Sequence, residues 1–298
     1  MFTPTISSDA NVRLAKLVKQ IIVEKNPPVI MINLRPSFDF NILHAIYLLK
    51  VKQCIDLGFN CVMIIYDKTI EKRNLVPSQE IQLFNEVIMR NINWFKRAGI
   101  TEENTEIFTE SDLWSIIEFR EFAEVVTSFA HIFKINPEAY SVEGNGIVSK
   151  VMSNLCEIYY EYFLKSDVIL IGESDANEIW RTLRTSGGKI IDGYVSPLVL
   201  YYPMLNGIDG NKLSIISSKN SISTSDTKND IESKIKGSPE AFLEVLIDYF
   251  IIPWKKVLTV EKKHFCSFEE LKQEFELSTI QDLIIEYTNE YFSNISSA

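Results

Sequence analysis

The sequence predicts an α/β protein in which a Rossmann-like, doubly wound parallel sheet is followed by a small C-terminal helical domain. Two observations lead to this prediction. Short apolar runs that suit buried strands alternate with longer helical patterns through most of the chain, and after Ser238 only helical patterns follow. Short strands separated by helices of this length are typical of a parallel sheet with helices on both faces.

Four apolar runs are the predicted strands. Each has five to seven residues, and most are rich in Val and Ile, as strands buried on both faces are. They are "VIMINL" (29–34), "CVMIIYD" (61–67), "TEIFT" (105–109) and "DVILIG" (167–172).

Helical patterns lie between these strands. Gly58 and Gly99 follow two of them and can supply the left-handed residue with which many helices end, and Ser78 is a suitable N-cap for the second. The predicted helices cover about 41–57, 81–98, 113–133, 148–164 and 176–184.

The composition changes after Gly210. Residues 214–230 are rich in Ser, Asn and Thr without an apolar period, so a plain linker is one interpretation of them. Beyond it, Ser267 and Glu270 have the spacing of a capping box. Helices are predicted at 238–254, 267–275 and 279–292, and the expected domains are 1–225 and 226–298.

Composition also limits the function classes. A formal net charge of −10 over 298 residues argues against a broad phosphate-binding surface. No signal-peptide pattern is visible and no apolar run approaches the ~18 residues of a membrane span, so a cytoplasmic location without membrane contact is expected. The four cysteines form no CxxC pair and there are three histidines, so buried, reduced thiols and no metal site are expected.

Three separated stretches, "RPSFDFNILHA" (35–45), "VSKVMSNLCEIYYEYFLKSDVILIGESDANEI" (148–179) and "PMLNGIDGNKLS" (203–214), carry a family likeness. In this order they resemble class I aminoacyl-tRNA synthetases of the tyrosyl/tryptophanyl group, and most closely the archaeal and eukaryotic type of tyrosyl-tRNA synthetase. "RPSFDFNILHA" (35–45) stands where that family carries a Pro-Ser-Gly turn and its HIGH signature. "VSKVMSNLCEIYYEYFLKSDVILIGESDANEI" (148–179) is similar to the amino-acid-binding helix and the strand after it. "PMLNGIDGNKLS" (203–214) is similar to the approach to the KMSKS loop. The helices after Ser238 resemble the family's C-terminal domain.

The resemblance implies ATP with Mg²⁺ as cofactor, held at a strand-to-helix turn. The four HIGH positions are occupied here by Asn41, Ile42, Leu43 and His44. Asn41 and His44 are therefore candidate catalytic residues. Leu43 replaces the glycine that admits the purine and Phe38 replaces the earlier glycine, so carbon stands where the nucleotide needs space. The alternative for His44 is a helix-start residue packed under the sheet.

Other positions of the family's ATP site are matched in part. Lys212 and Ser214 correspond to the KMSKS lysine and serine, where a lysine neutralises the leaving pyrophosphate. A solvated lysine in a flexible linker is the alternative. The resemblance assigns cofactor binding to Pro36, Ser37, Gly172 and Asp175.

The amino-acid pocket departs further from the family. Its helix carries Ser153, Glu157 and Tyr160 where tyrosyl enzymes have Tyr, Gln and Asp, and Met31 stands at the contact to the ring hydroxyl. A site without those partners has no reason to select tyrosine, so altered specificity is predicted. The carboxylates and one cation that would line this cleft and bind an amino acid are Asp67, Glu157, Glu173, Asp175 and Arg35, although each is also an ordinary strand-end or helix-cap residue.

The resemblance also implies partners: an amino acid or similar small molecule, tRNA, and a second copy of the chain. The dimerisation segment would be 113–147. The family's acidic base-reading residue falls on Gln281 or Asp282. Lys255, Lys256, Lys262 and Lys263 form the one compact basic cluster, for which a solvated surface is the alternative to a tRNA contact.

Three functions remain open from the sequence. The first is ATP-dependent amino-acid activation with transfer to tRNA or another acceptor. The second is a catalytically inactive synthetase paralogue that binds an amino acid, nucleotide or partner. The third is an ATP-independent transferase similar to cyclodipeptide synthases, with Ser37 as nucleophile and Tyr159, Tyr160 and Glu161 on the acid–base helix.

Overall fold

The computed structural model describes two compact units that alternate along the chain, 1–34, 58–68 and 106–203 against 35–57, 69–105 and 204–298. The predicted domain boundary at 225/226 stays a prediction. The residues described here are 8–24, 27–37, 39–67, 81–103, 105–118, 121–122, 124, 146–172, 181, 184–185, 191–213 and 220–296.

A five-stranded sheet dominates the first unit and confirms the predicted fold class. Its strands are β1 (Val29–Leu34), β2 (Asn60–Ile65), β3 (Thr105–Thr109), β4 (Val168–Gly172) and β5 (Leu198–Tyr202), in the spatial order β3-β2-β1-β4-β5. The pairs β1–β2, β1–β4 and β4–β5 are parallel. Ile30, Met31 and Ile32 at the centre of β1 are buried, which fits their unbroken run of apolar side chains.

The sequence did not predict β5, "LVLYY". All five of its residues are half-buried, as suits a strand at the edge of the sheet with only one neighbour. The helices of this unit are α1 (Ser8–Lys19, extended by a π-helical segment Gln20–Glu24), α4 (Glu110–Ile116) and α5 (Gly146–Phe163). The predicted single helix 113–133 is wrong at Ile117, whose backbone is extended and ends α4.

The second unit is mainly helical. It contains α2 (Ile42–Asp56), α3 (Ile81–Arg97), α6 (Lys228–Lys236), α7 (Glu240–Val245), α8 (Phe268–Glu274) and α9 (Leu277–Ser296). After α7 the chain continues through a π-helical segment, Leu246–Ile251, into a last α-helical turn, Ile252–Lys255. Aromatic rings join the C-terminal helices: Tyr291 packs edge-on against Phe250 and Trp254, with ring centroids 4.9 and 5.0 Å apart.

Three details of this unit correct the sequence-based expectations. A short hairpin, β6 (Leu258–Val260) and β7 (Lys263–Phe265), interrupts the helices. Ser267 caps α8 by accepting from the Glu270 N–H, but the Glu270 carboxylate accepts from Cys266 instead of completing a box with Ser267. Cys266 is exposed, whereas the other three cysteines are buried as expected.

The first unit contains a buried ion pair. The Arg184 guanidinium contacts the Glu161 carboxylate at 2.7 Å, and Tyr194 donates to the same carboxylate at 2.8 Å. Arg184 also donates to Pro197 O at 2.9 Å. Burial raises the pKa of Glu161, while the charge of Arg184 acts in the opposite direction. The carboxylate therefore depends on Arg184 to stay ionised.

We expect Arg184→Met to lower the free energy of unfolding by about 3–5 kcal/mol, because it leaves a buried carboxylate without its cation. The loss should shrink as the pH falls through the raised pKa of Glu161 toward about 4.3, the pKa of unfolded glutamate, and should level off below it, since a raised folded pKa favours folding in acid. Urea unfolding across pH measures both effects. Arg181→Met, at an exposed arginine, is the control, and equal losses in the two variants would contradict this role.

Candidate functional site

The turn after β1 leads into α2, whose first residues correspond to the HIGH signature. Asn41 is the N-cap of α2, with extended backbone. Its side-chain oxygen accepts from the N–H groups of Leu43 and His44 at 3.1 and 3.2 Å. Its carbonyl accepts from Ala45 N–H at 3.2 Å, as the first turn of a helix requires.

The segment 222–224 covers the same turn. Ile42 N–H donates to Ile222 O at 2.8 Å, and Asn41 forms an antiparallel bridge with Ser223. Phe40 and Thr224 add two hydrogen bonds, from Thr224 N–H to Phe40 O at 2.8 Å and from Phe40 N–H to Thr224 Oγ1 at 3.2 Å. Residues 220–230 are therefore not a plain linker: Ser221, Ile222 and Ser223 are buried, and Thr227 caps α6.

These bonds occupy the amides that a helix N-terminus offers to an anion. A helix leaves its first four N–H groups without intrahelical partners, and phosphates bind proteins at such groups. In α2 all the amides of this turn donate inside the protein, to Ile222 O, to the Asn41 side chain and to Asn41 O. The residues Asn41 to His44 are also buried.

His44 is held inside the protein as a neutral imidazole. Its Nδ1 lies 3.1 Å from the backbone nitrogen of Asn41 and 2.9 Å from Asn41 Oδ1, and its ring stacks on Phe40 with centroids 5.3 Å apart. Burial lowers the pKa of His44 to about 3. Its Nε2 has no hydrogen-bond partner among the described residues. This geometry matches the alternative interpretation of His44, that of a packed residue at the start of a helix.

The turn that precedes α2 is fixed by Asn91, a residue of α3 that the sequence did not single out. Asn91 Oδ1 accepts from Ser37 N–H at 3.2 Å, and Asn91 Nδ2 donates to Ser37 O at 2.7 Å. Ser37 Oγ donates to Asp39 O at 2.9 Å. Pro36 is buried and Arg35 is exposed, while Phe38 lies outside the described residues. A polar residue within an otherwise apolar helical face was the available signal for Asn91.

The Gly-Ile-Asp-Gly stretch forms a closed turn. Gly207 N–H donates to Asn211 O at 2.7 Å, and Ile208 N–H donates to Asn220 O at 3.0 Å. The Asn220 side chain then donates to Lys212 O at 3.0 Å. Lys212 is exposed, and Ser214 lies outside the described residues.

The first unit places two predicted substrate residues, Glu157 and Tyr160, in a polar cluster inside its core. Tyr160 is completely buried, and its hydroxyl donates to Glu110 Oε1 at 2.9 Å. Glu157 and Tyr160 also face the buried Tyr66: burial first, and then the charge of Glu157, raise the pKa of the Tyr66 phenol well above its usual value. Glu110, which follows β3 directly, was missed because it reads as an ordinary helix-start acid.

The other predicted residues are more dispersed. The Asp67 carboxylate accepts from Ser111 N–H at 2.9 Å, near the start of α4. Gly172 is the buried last residue of β4 and lies beside Tyr202. Ser153 belongs to α5, but its side chain lies outside the described residues, as do Glu173 and Asp175. Their roles, like those of the other predicted site residues, stay predictions.

The predicted basic cluster is largely paired with carboxylates. Lys255 contacts Glu290 at 2.8 Å, Lys263 contacts Glu274, and Lys256 lies 4.0 Å from Asp56. Within the described ranges, no group of three or more His, Cys, Asp or Glu side chains is arranged to bind a metal ion. No helix of the described part is both long and apolar enough to cross a membrane.

Solved structures that resemble this chain include tyrosyl-tRNA synthetases. The crystal structure of the Archaeoglobus fulgidus tyrosyl-tRNA synthetase complexed with L-tyrosine superposes with a TM-score of 0.79 over 96% of this chain and 93% of that one, at 21% identity. The fold is therefore that of a class I synthetase, as the motifs predicted. No protein-family model matches the sequence.

Sequence relatives narrow the comparison to tyrosine–tRNA ligases. The Archaeoglobus fulgidus enzyme is 25% identical over 287 residues, which is 89% of this chain and 85% of the relative. The Methanosphaera stadtmanae enzyme is 23% identical over 284 residues, or 90% and 83% of the two chains. The chain is tyrosyl-tRNA-synthetase-like in sequence and in fold, and the resemblance that the motifs indicated is confirmed.

Burial of neutral His44 should make the protein sensitive to acid. Because folding lowers the pKa of His44, its contribution to stability is present above the unfolded pKa of ~6.5 and is lost as the pH falls toward 3. We expect this group alone to remove about 3 kcal/mol between pH 7 and pH 4, on the rule of about 1.36 kcal/mol per pKa unit. His44→Gln should flatten the pH dependence of urea unfolding, and His264→Gln, at an exposed histidine, should leave it unchanged.

Substitution of the two glycines in the closed turn, Gly207 and Gly210, should lower stability by different amounts. A Cβ on Gly207 would overlap the Asn220 carbonyl oxygen, whereas a Cβ on Gly210 meets nothing within 4 Å. We expect Gly207→Ala to cost about 3 kcal/mol of unfolding free energy from overpacking. Gly210→Ala should cost about 1 kcal/mol, from its left-handed backbone alone. Similar costs for both would argue against the Asn220 contact.

Proposed function

We propose that this chain is a synthetase-like binding protein that does not form an aminoacyl adenylate. The proposal selects the second of the three functions left open by the sequence. In this proposal the chain has the tyrosyl-tRNA-synthetase fold and binds an amino acid or a partner, without ATP-dependent chemistry.

The observation that carries the proposal is the occupation of the α2 amides. An ATP phosphate at this helix would have to displace Ile222 O and the Asn41 side chain, both in buried positions. Leaving buried polar groups unpaired costs about 1–3 kcal/mol each. His44, neutral and buried, offers no positive charge to the phosphate in exchange.

The residues at the predicted amino-acid-binding positions support the same proposal. Tyr160 stands at a family substrate position, but its hydroxyl donates to Glu110 within a core cluster that also contains Met31. A substrate phenol would have to compete with that internal hydrogen bond. Glu157, only half-buried, is the one member of this group that a ligand ammonium could reach without opening the core.

ATP-dependent activation with altered specificity is the competing hypothesis. Its support is the exposed Lys212 beside the closed turn and the match to tyrosine–tRNA ligases. The family implies ATP with Mg²⁺, a bound amino acid, tRNA, a homodimer and a cytoplasmic location, and each stays a proposal for this chain.

The ATP-independent transferase has less support. Its nucleophile, Ser37, donates to Asp39 O, and its acid–base candidate Glu161 is held by Arg184 and Tyr194. A carboxylate already paired with a buried guanidinium is poorly placed to exchange protons with a substrate.

Pyrophosphate exchange into ATP decides between these hypotheses. The purified chain is incubated with ATP, Mg²⁺ and each common amino acid in turn, with the Archaeoglobus fulgidus enzyme and tyrosine as positive control. We expect no exchange with any amino acid and no heat on titration with ATP. Exchange with tyrosine or with another amino acid would overturn the proposal in favour of activation.

One variant tests the physical reason directly. Asn41→Ala frees the Leu43 and His44 amides and should lower the unfolding free energy by about 1–2 kcal/mol, the usual value of an N-cap. ATP should not stabilise the parent in thermal unfolding, and any stabilisation by ATP should appear only in this variant, whose Leu43 and His44 amides are free. Stabilisation of the parent by ATP would show that the amides are available and would contradict the proposal.

A further inference from the structure

The C-terminal helices of the second unit hold a lysine ammonium between two aromatic rings. Lys255 Nζ lies 4.0 Å from the centroid of the Trp254 ring and 5.0 Å from the centroid of the Tyr287 ring. The two rings are perpendicular, with an interplanar angle of 90° and centroids 6.4 Å apart. Both nitrogen-to-ring distances are within the ~6 Å over which an aromatic face attracts a cation.

A carboxylate completes this arrangement. Both oxygens of Glu290 lie 2.8 Å from Lys255 Nζ. Tyr287 and Glu290 are three residues apart on α9, so they share one face of that helix. Trp254, Tyr287 and Glu290 thus form an ammonium corner, in which two aromatic rings and one negative charge surround a single cation.

Packing behind the ammonium corner fixes its tryptophan wall. The Phe250 ring stacks on Trp254 with an interplanar angle of 7° and centroids 6.0 Å apart. Tyr291 packs edge-on against Trp254, and both Phe250 and Tyr291 are buried. Because the wall is already ordered, a ligand loses little free energy in ordering it.

Lys255 is held in the corner only weakly. Its side chain is 28% exposed and the Glu290 side chain is 45% exposed, and ion pairs this close to solvent contribute little to stability. The lysine ammonium is also strongly hydrated, so it loses water when it contacts the rings. A quaternary ammonium has methyl groups in place of N–H donors, and aromatic walls with a nearby carboxylate suit such a cation better.

We propose that the ammonium corner binds a quaternary ammonium group, which displaces Lys255 into solvent. The methyl groups of the ligand lie against Trp254 and Tyr287, and Glu290 neutralises its charge. The group belongs to a choline-like small molecule or to a trimethylated lysine side chain, since both present the same cation. The site is independent of the amides of α2.

Titration calorimetry on the whole chain tests the proposal. The probes are choline and a peptide with one Nε-trimethyl-lysine. Their controls are 3,3-dimethylbutan-1-ol, the neutral isostere of choline, and the unmethylated peptide. We expect at least one cation to bind about tenfold more tightly than its control, and the cation that binds more tightly identifies the source.

Replacing the internal lysine should improve binding. Lys255→Ala empties the corner and should bind the cation about tenfold more tightly than the parent, because an internal competitor lowers the apparent affinity by the fraction of time that it fills the site. Lys256→Ala, at an exposed lysine 4.0 Å from Asp56, should bind like the parent. Equal tightening in both variants, or none in Lys255→Ala, would overturn the proposal.

Further changes in the Lys255→Ala background locate the ligand. Tyr287→Leu should weaken the cation about tenfold by removing one aromatic wall. Glu290→Gln should weaken it about threefold, whereas Glu286→Gln, at another exposed glutamate of α9, should not. Equal effects of the two glutamate substitutions would place the ligand elsewhere and contradict the proposal.

A chemical readout on the parent chain avoids dependence on variant folding. Mass spectrometry after mild lysine acetylation should show that choline speeds modification of Lys255, because the displaced amine enters solvent, and leaves Lys256 unchanged. Binding without faster modification of Lys255 would overturn the proposal. No binding of either cation to the parent or to Lys255→Ala at about 10 mM, which would reveal a Kd of ~1 mM, would also end it.

Discussion

The hydrogen bonds at the start of α2 are the constraint on which the proposed function of this molecule rests. A helix N-terminus binds phosphate only while its amides are available, because that interaction consists of N–H donors and the helix dipole. Here Asn41 and Ile222 accept from those amides, and His44 packs against the same cap instead of facing a ligand. The turn therefore has a structural role. The chain has the fold of a class I synthetase, but the first N–H groups of α2 are already hydrogen-bonded within the protein.

Polar side chains of the first unit also pair with one another. Tyr160 donates to Glu110 inside the core, and Glu161, Arg184 and Tyr194 form a second internal polar group. Each group exchanges potential contacts with a ligand for contacts within the protein.

Local sequence signals predicted much of the fold. Two groups of elements lie close to their predicted limits: the strands β1 to β4, and the helices α2, α3, α5, α8 and α9. They were predictable because the burial of a strand and the periodicity of a helix show in consecutive residues. The edge strand β5 and the hairpin β6–β7 were missed, since half-buried or short strands have weak patterns. The break of the helix at Ile117 was missed because an apolar residue gives no stop signal.

The sequence by itself determined the fold family and the loss of the glycines at the nucleotide turn, because both depend on residue types in a fixed order. Only the tertiary structure decided the partners of the polar groups that remained. His44, Asn41 and Tyr160 are compatible in sequence with either catalysis or packing. Contacts with Phe40, Ser223 and Glu110 place them inside the protein. The contacts with Ser223 and Glu110 join residues far apart in the chain, so burial and hydrogen bonding, rather than residue identity, fix whether a polar side chain is available to a ligand.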